Sequence, residues 1–107
     1  MPSRGLVSDA CRIEPGIPHP EDQRRVGLAV TTPYHEDFVD ELKSSLPVRD
    51  RLWVRGSEGV WWVAAAHEQL VTDLCVRHFG SVLVLGQDGE SDRWVDAQGT
   101  HTQERLL

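Results

Sequence analysis

The chain reads as an α+β protein: a two-layer βαββαβ sandwich, with a small mixed or antiparallel sheet carrying two helices on one face. Three observations lead there. Two segments repeat apolar residues at three- and four-residue spacing. Short β-branched or aromatic runs alternate with them, and turns rich in glycine and proline separate the pieces. A ferredoxin-like or related arrangement fits that order, and 107 residues hold one domain at most.

The elements follow in sequence. Residues 1–24 read as an irregular N-terminal arm, punctuated by Pro2, Pro15, Pro18 and Pro20 with Gly5 and Gly16, because proline withholds a ladder donor and interrupts a helix. The folded domain is expected over 25–97. Val26–Thr31 is a first strand. Thr32-Pro33 supplies an N-cap and a first-turn proline for a helix from Pro33 to Ser45, whose stripe is Phe38, Val39, Leu42 and Leu46. Pro47 ends it. A hairpin spans 50–64, turning at Gly56-Ser57-Glu58-Gly59. A second helix runs from His67 to Phe79, with Leu70, Val71, Leu74, Cys75 and His78 inward and Gly80 as its stop. Val82–Leu85 is an apolar strand, Asp88-Gly89 a turn, and Arg93-Trp94-Val95 a short last strand, with room for an extra edge strand. Residues 98–107 read as a frayed C-terminal tail.

An apolar fraction of 39% and a charged fraction of 26% describe a folded chain, not a disordered one. Net charge is −6, which argues against a general polyanion binder and shifts attention to how charge is distributed. Acid collects at Glu36, Asp37, Asp40 and Glu41, and again at Asp88, Glu90, Asp92 and Asp96. Two cysteines are too few for a secreted disulfide scaffold. The opening residues carry no signal-peptide run and no stretch approaches a membrane span, so the expectation is a cytoplasmic protein with reduced thiols and no membrane partner.

The sharpest functional clue lies in Val48–Ala64. Arg49, Arg51, Trp53 and Arg55 occupy alternate positions with Leu52 and Val54 between. On a strand, that pattern puts three guanidinium groups and an indole on one face, a combination suited to phosphates and to base stacking. Trp61 and Trp62 must point to opposite faces of one strand, so one is core and the other is a candidate contact. Lys43, on the polar side of the first helix, can reach a phosphate or lie over apolar surface. The run Glu36, Asp37, Asp40 and Glu41 offers an acidic face for a basic protein partner. His35, His67, His78 and Cys75 supply only one helical pair at ligand spacing, Cys75 and His78, so no metal is expected. Glu36-Asp37 with Glu41 and Lys43 is a weak echo of nuclease carboxylates, and helix-borne acids are poorly placed for Mg²⁺. No phosphate loop or nucleophile elbow is present; neither an enzyme nor a cofactor is expected.

The stretch from Thr31 to Phe79 resembles the HARP module of annealing helicases and related small modules of bacterial and phage DNA metabolism. The matching positions are Pro33, Tyr34, Phe38, Leu42, Lys43, Leu46, Pro47, Arg51, Trp53, Trp61 and Val63. That likeness covers about half the chain and implies binding to single-stranded or branched DNA in support of another enzyme. Two functions therefore stand. One is a DNA-binding accessory module using Arg49, Arg51, Trp53, Arg55, Lys43 and Trp62. The other is an acidic protein-interaction module, such as a small phage- or plasmid-type regulator or inhibitor, using Glu36, Asp37, Asp40 and Glu41.

Overall fold

A computed structural model describes residues 11–57, 59–87 and 89–102. Among the described residues, seven strands and two helices follow in the order β1 (Arg12–His19), β2 (Asp22–Thr31), α1 (Glu36–Ser45), β3 (Arg51–Trp53), β4 (Val60–Ala64), α2 (Glu68–Phe79), β5 (Ser81–Val84), β6 (Arg93–Asp96) and β7 (Gly99–Thr102). Single 3-10 turns at Val48–Asp50 and Ala65–His67 lead into β3 and α2. The strands form one sheet in the order β3-β4-β2-β1-β5-β6-β7. Every neighbouring pair is antiparallel except β1–β5. The α+β sandwich with a mixed sheet is therefore as expected, with more strands than the βαββαβ order contains.

The surplus comes from both ends. Residues 12–24 are not an irregular arm: β1 and β2 make a long hairpin in which Pro15 faces Leu28 and Pro18 faces Val26. The prolines are tolerated because β5 pairs with β1 only at Arg12 and Ile13, so the rest of β1 is an edge, where a missing donor is harmless. Gly16, at φ 77°, sits at a register shift in the same strand. The tail is corrected likewise. Asp96 Oδ1 accepts from Gln98 N at 2.9 Å, an Asx turn that returns the chain as β7, with Arg93 opposite Thr102. The domain thus extends beyond 25–97 in both directions. Residues 1–10 and 103–107, the outer parts of the expected arm and tail, lie outside the described residues.

Helix α1 starts later than Pro33. Its N-cap is His35, whose Nδ1 accepts from Phe38 N at 3.2 Å. Thr32 cannot cap, because its own N–H donates to the Gly59 carbonyl at 2.9 Å, holding it extended beside the hairpin. Gly80, at φ 92°, ends α2 as expected, its N–H closing on the Val76 carbonyl at 2.8 Å.

Alternation decides the core. Ile13, Leu28, Val30, Trp61, Val63, Val82 and Val84 point from the sheet toward Phe38, Leu42, Val71, Leu74 and Cys75 of the helices. The intervening positions belong to the other face, where Trp62 is nonetheless only 1% exposed. It lies across Gly27, and a Cβ built there would fall 2.3 Å from the Val63 carbonyl oxygen and 2.7 Å from Trp62 Cζ2. No helix among the described residues is long and apolar enough to cross a membrane.

Gly27→Ala is therefore expected to destabilise the fold by about 2 kcal/mol or more, the range for overpacking against a fixed backbone. A urea melt followed by tryptophan fluorescence checks this; an unchanged midpoint would mean that Trp62 does not occupy that place.

Candidate functional site

Strand β3 is three residues long, and that length disperses the expected arginine strip. Pro47 opens the 3-10 turn, with Asp50 N donating to its carbonyl at 3.0 Å, and Arg49 lies in that turn. After Trp53 the chain turns again: Ser57 N and Oγ donate to the Val54 carbonyl at 3.1 and 2.6 Å, which puts Arg55 in the turn. Only Arg51 and Trp53 share a strand face. They stand opposite Val63 and Trp61, so they lie on the helix side of the sheet. Arg51 Nε donates to the Leu46 carbonyl at 3.2 Å.

Trp62 is corrected as a contact residue. Its Nε1 donates to the Ile17 carbonyl at 2.9 Å, His19 meets it edge-on at 4.5 Å, and the Arg25 guanidinium lies over its ring at 5.1 Å. The far end of the β1–β2 hairpin closes over an indole that the sequence leaves open to solvent.

Trp53 is the more open of the two facing indoles. It is 42% exposed and rests edge-on against Trp61, centroids 5.3 Å apart. Beside it stands Tyr34, 79% exposed. The two rings share a pair of adjoining depressions. One, of about 340 Å³, is lined by Tyr34, Val39, Lys43, Trp53 and Trp61. The other, of about 420 Å³, is lined by Thr32, Pro33, Tyr34, Trp53 and Gly59. Lys43 lies one helical turn beyond Val39 and brings an ammonium to the same groove. Sequence reasoning named Lys43 and Trp53 and missed Tyr34 as a site residue. The available signal was its place just ahead of the stripe Phe38-Val39-Leu42, an aromatic with no core position to fill.

Ion pairs separate the charged residues into two groups. Asp50 Oδ1 accepts from Arg25 and its Oδ2 from His67 Nε2, both at 2.9 Å. Arg25 also donates to the Arg49 carbonyl at 2.8 Å. This node ties β2 to the turn before β3 and the turn before α2. The His67 hydrogen bond, reinforced by Arg25, holds the Asp50 carboxyl below the usual carboxylate range. Glu41 accepts from Arg77 and His78, which lowers its pKa in the same way and clasps α1 to α2. Glu41 is therefore not part of a free acidic face, whereas Glu36, Asp37 and Asp40 are exposed and have no ion pair among the described residues. Arg49, Arg51, Arg55 and Lys43 also have no carboxylate partner among the described residues. His35 sits 5.3 Å from His78, ring to ring, yet no group of three or more His, Cys, Asp or Glu is placed to hold a metal among the described residues.

A larger hollow of about 570 Å³ opens elsewhere, between Pro15, Glu68, Leu85, Gln87, Glu90, Ser91, Arg93 and Thr102. Its guanidinium is already paired, Arg93 to Glu68 at 3.0 Å, and its described lining has no aromatic ring. The Tyr34–Trp53 groove is the better candidate, because it combines exposed rings with a cation that has no carboxylate partner among the described residues. Comparison with protein-family models, curated proteins and solved structures finds no match for the chain.

The Asp50 node sets a pH dependence. A carboxyl whose folded pKa is lowered stabilises the fold above its unfolded value, about 3.9, and loses that contribution as pH falls through the folded pKa. Asp50→Asn should therefore melt below the parent at neutral pH, and the gap should close as pH drops below about 4. Thermal melts at pH 7, 5 and 3 check it; a gap that widens in acid would contradict the node.

Proposed function

We propose that the chain is a non-enzymatic DNA-binding accessory module that takes single-stranded or branched DNA by stacking unpaired bases in the Tyr34–Trp53 groove. The observation that carries this reading is the pairing of two exposed rings on one groove with Lys43 at its side. Aromatic platforms bind bases of any sequence through their π-faces, and nearby cations follow the backbone. Arg51, at the same edge, and Arg49 and Arg55, in the turns that flank β3, are the remaining cations within chain reach of the groove. The HARP-like pattern supports the same assignment, since Pro33, Tyr34, Lys43, Arg51 and Trp53 all belong to it.

The acidic protein-interaction reading is the weaker one. Its four-carboxylate face is reduced to Glu36, Asp37 and Asp40 by the internal pairing of Glu41. Those carboxylates line none of the three described depressions.

Fluorescence anisotropy with labelled single-stranded, forked and duplex DNA tests the proposal. Single-stranded and forked DNA should bind, and duplex should bind more weakly. Tyr34→Ala and Trp53→Ala should each weaken binding about 5- to 100-fold. Lys43→Glu should weaken it and flatten the salt dependence. With four cations at most, the log–log salt slope should be no steeper than about −3. Absence of binding to every DNA at low salt, by protein that melts cooperatively, would refute it.

A further inference from the structure

Five histidines occur in the sequence, and their hydrogen bonds divide them by what protonation does. His67, His78 and His101 turn Nε2 toward the carboxylates of Asp50, Glu41 and Asp96 respectively, so an added proton strengthens contacts they already make. His19 and His35 instead accept a backbone N–H through Nδ1, from Glu21 at 2.9 Å and from Phe38 at 3.2 Å. An imidazole accepts only while that nitrogen keeps its lone pair, and both nitrogens of the cation are donors. His19 ends β1 and lies against Trp62, on the sheet face opposite the helices. His35 is the N-cap of α1, and Tyr34 immediately precedes it.

The half-buried His35 ring is held by α2, which brings His78 to 5.3 Å and Phe79 to 5.6 Å, centroid to centroid. The His35 carbonyl accepts from Val39 N at 3.0 Å. The residue thus fixes where the extended chain through Pro33 and Tyr34 becomes helix. Tyr34, Val39 and Lys43, all lining the groove, take their positions from that point. A charged ring is poorly accommodated there. His78 faces it from α2, already engaged with Glu41, which Arg77 also occupies. Phe38 and Phe79 are apolar, and the free N–H groups of the first turn add partial positive charge. Glu36 and Asp37, the acids of that turn, are exposed to water, where salt screens them.

We propose, resting on the DNA reading of the Tyr34–Trp53 groove, that His35 is a pH-sensitive latch on that groove. Neutral, it caps α1 and keeps Tyr34 beside Trp53. Protonated, its Nδ1 becomes a donor facing the Phe38 N–H. The cap is then lost, the first turn of α1 opens, and Tyr34 leaves the groove. Binding of single-stranded DNA therefore weakens as pH falls across the range in which imidazoles titrate, about 8 to 5. That direction opposes simple electrostatics, because an acidified protein gains positive charge and should hold a polyanion more tightly.

The test is anisotropy titration of labelled oligothymidine, whose bases do not titrate in this range, from pH 8 to 5.5 at constant ionic strength. Proton–nitrogen NMR of the full-length chain accompanies it over the same pH values. Affinity should fall about 3- to 10-fold, the ratio that corresponds to losing a cap. The Phe38 amide should shift and lose exchange protection along the same curve. His35→Asn and His35→Ser place capping residues that do not titrate; both should bind at pH 8 like the parent and lose the decline, and having two guards against one that fails to fold. His35→Ala should bind at every pH as weakly as the parent does in acid. Affinity that stays level or rises toward acid, a decline that persists in both capping variants, or a Phe38 amide indifferent to pH would each overturn the latch. Oligothymidine left unbound at pH 8 would instead count against the DNA reading. The Phe38 and Tyr34 resonances, which report the cap and the groove without DNA, would then still decide the latch.

Discussion

The placement of β4 governs the rest of the molecule. Val60–Ala64 pairs with β2 on one side and β3 on the other, and its two consecutive tryptophans must leave the sheet on opposite faces. Trp61 enters the helix-side core and forms the wall against which Trp53 rests. Trp62 takes the opposite face, and burying an indole there needs a cover with an acceptor for its N–H. The β1–β2 hairpin supplies both, through the Ile17 carbonyl and His19. A one-residue slip of β4 would exchange the faces of the two rings and remove the wall of the groove. The extended hairpin and the aromatic groove therefore depend on one register.

Charge follows a comparable logic. The chain is anionic overall, yet its acids are unevenly engaged: Asp22, Glu41, Asp50, Glu68 and Asp96 all lie in ion pairs with arginine or histidine. Asp50 has the most structural consequence, because it joins β2 to both 3-10 turns and so positions the short strand that carries Arg51 and Trp53. Its neutralisation by Arg25 and His67 keeps the only carboxylate between Arg49 and Arg55 occupied internally. Net charge, a sum over the chain, hides that arrangement, while local potential at a groove is set by charges within about a Debye length of it, ~8 Å.

Elements with periodic apolar residues are legible in the sequence. The α1 stripe, the α2 stripe ending at Gly80 and the 50–64 hairpin are where hydrophobic spacing and turn residues put them. The misses share a cause. Pro15 and Pro18 argue against a central strand, and only the sheet order reveals that most of β1 is an edge. Gly99–Thr102 has no apolar residue, so nothing in its pattern signals a strand; its pairing with β6 follows from the turn. Alternation at 49–55 implied a long strand, and the turns nucleated by Pro47 and Ser57 shortened it. Trp62 looked available because its cover comes from about 45 residues earlier in the chain, beyond any local pattern. Of the residues lining the candidate groove, Lys43 and Trp53 are legible from residue type, whereas Tyr34 joins them only because the hairpin brings Trp53 beside it.

On the proposed reading, the acids left on α1 shape what the groove accepts. Glu36 and Lys43 stand two helical turns apart on one side of α1, and Asp40 stands between them. A phosphate backbone approaching along α1 meets repulsion as well as attraction. A rigid duplex offers phosphates first and keeps its base faces stacked inside. An unpaired base can insert between Tyr34 and Trp53 while its phosphate stays near Lys43 or Arg51. Weak electrostatics joined to strong stacking therefore favours single strands over duplex without any sequence-reading contact. An acidic protein can in this way bind a polyanion at one edge while the rest of its surface repels it, which confines the nucleic acid to the groove.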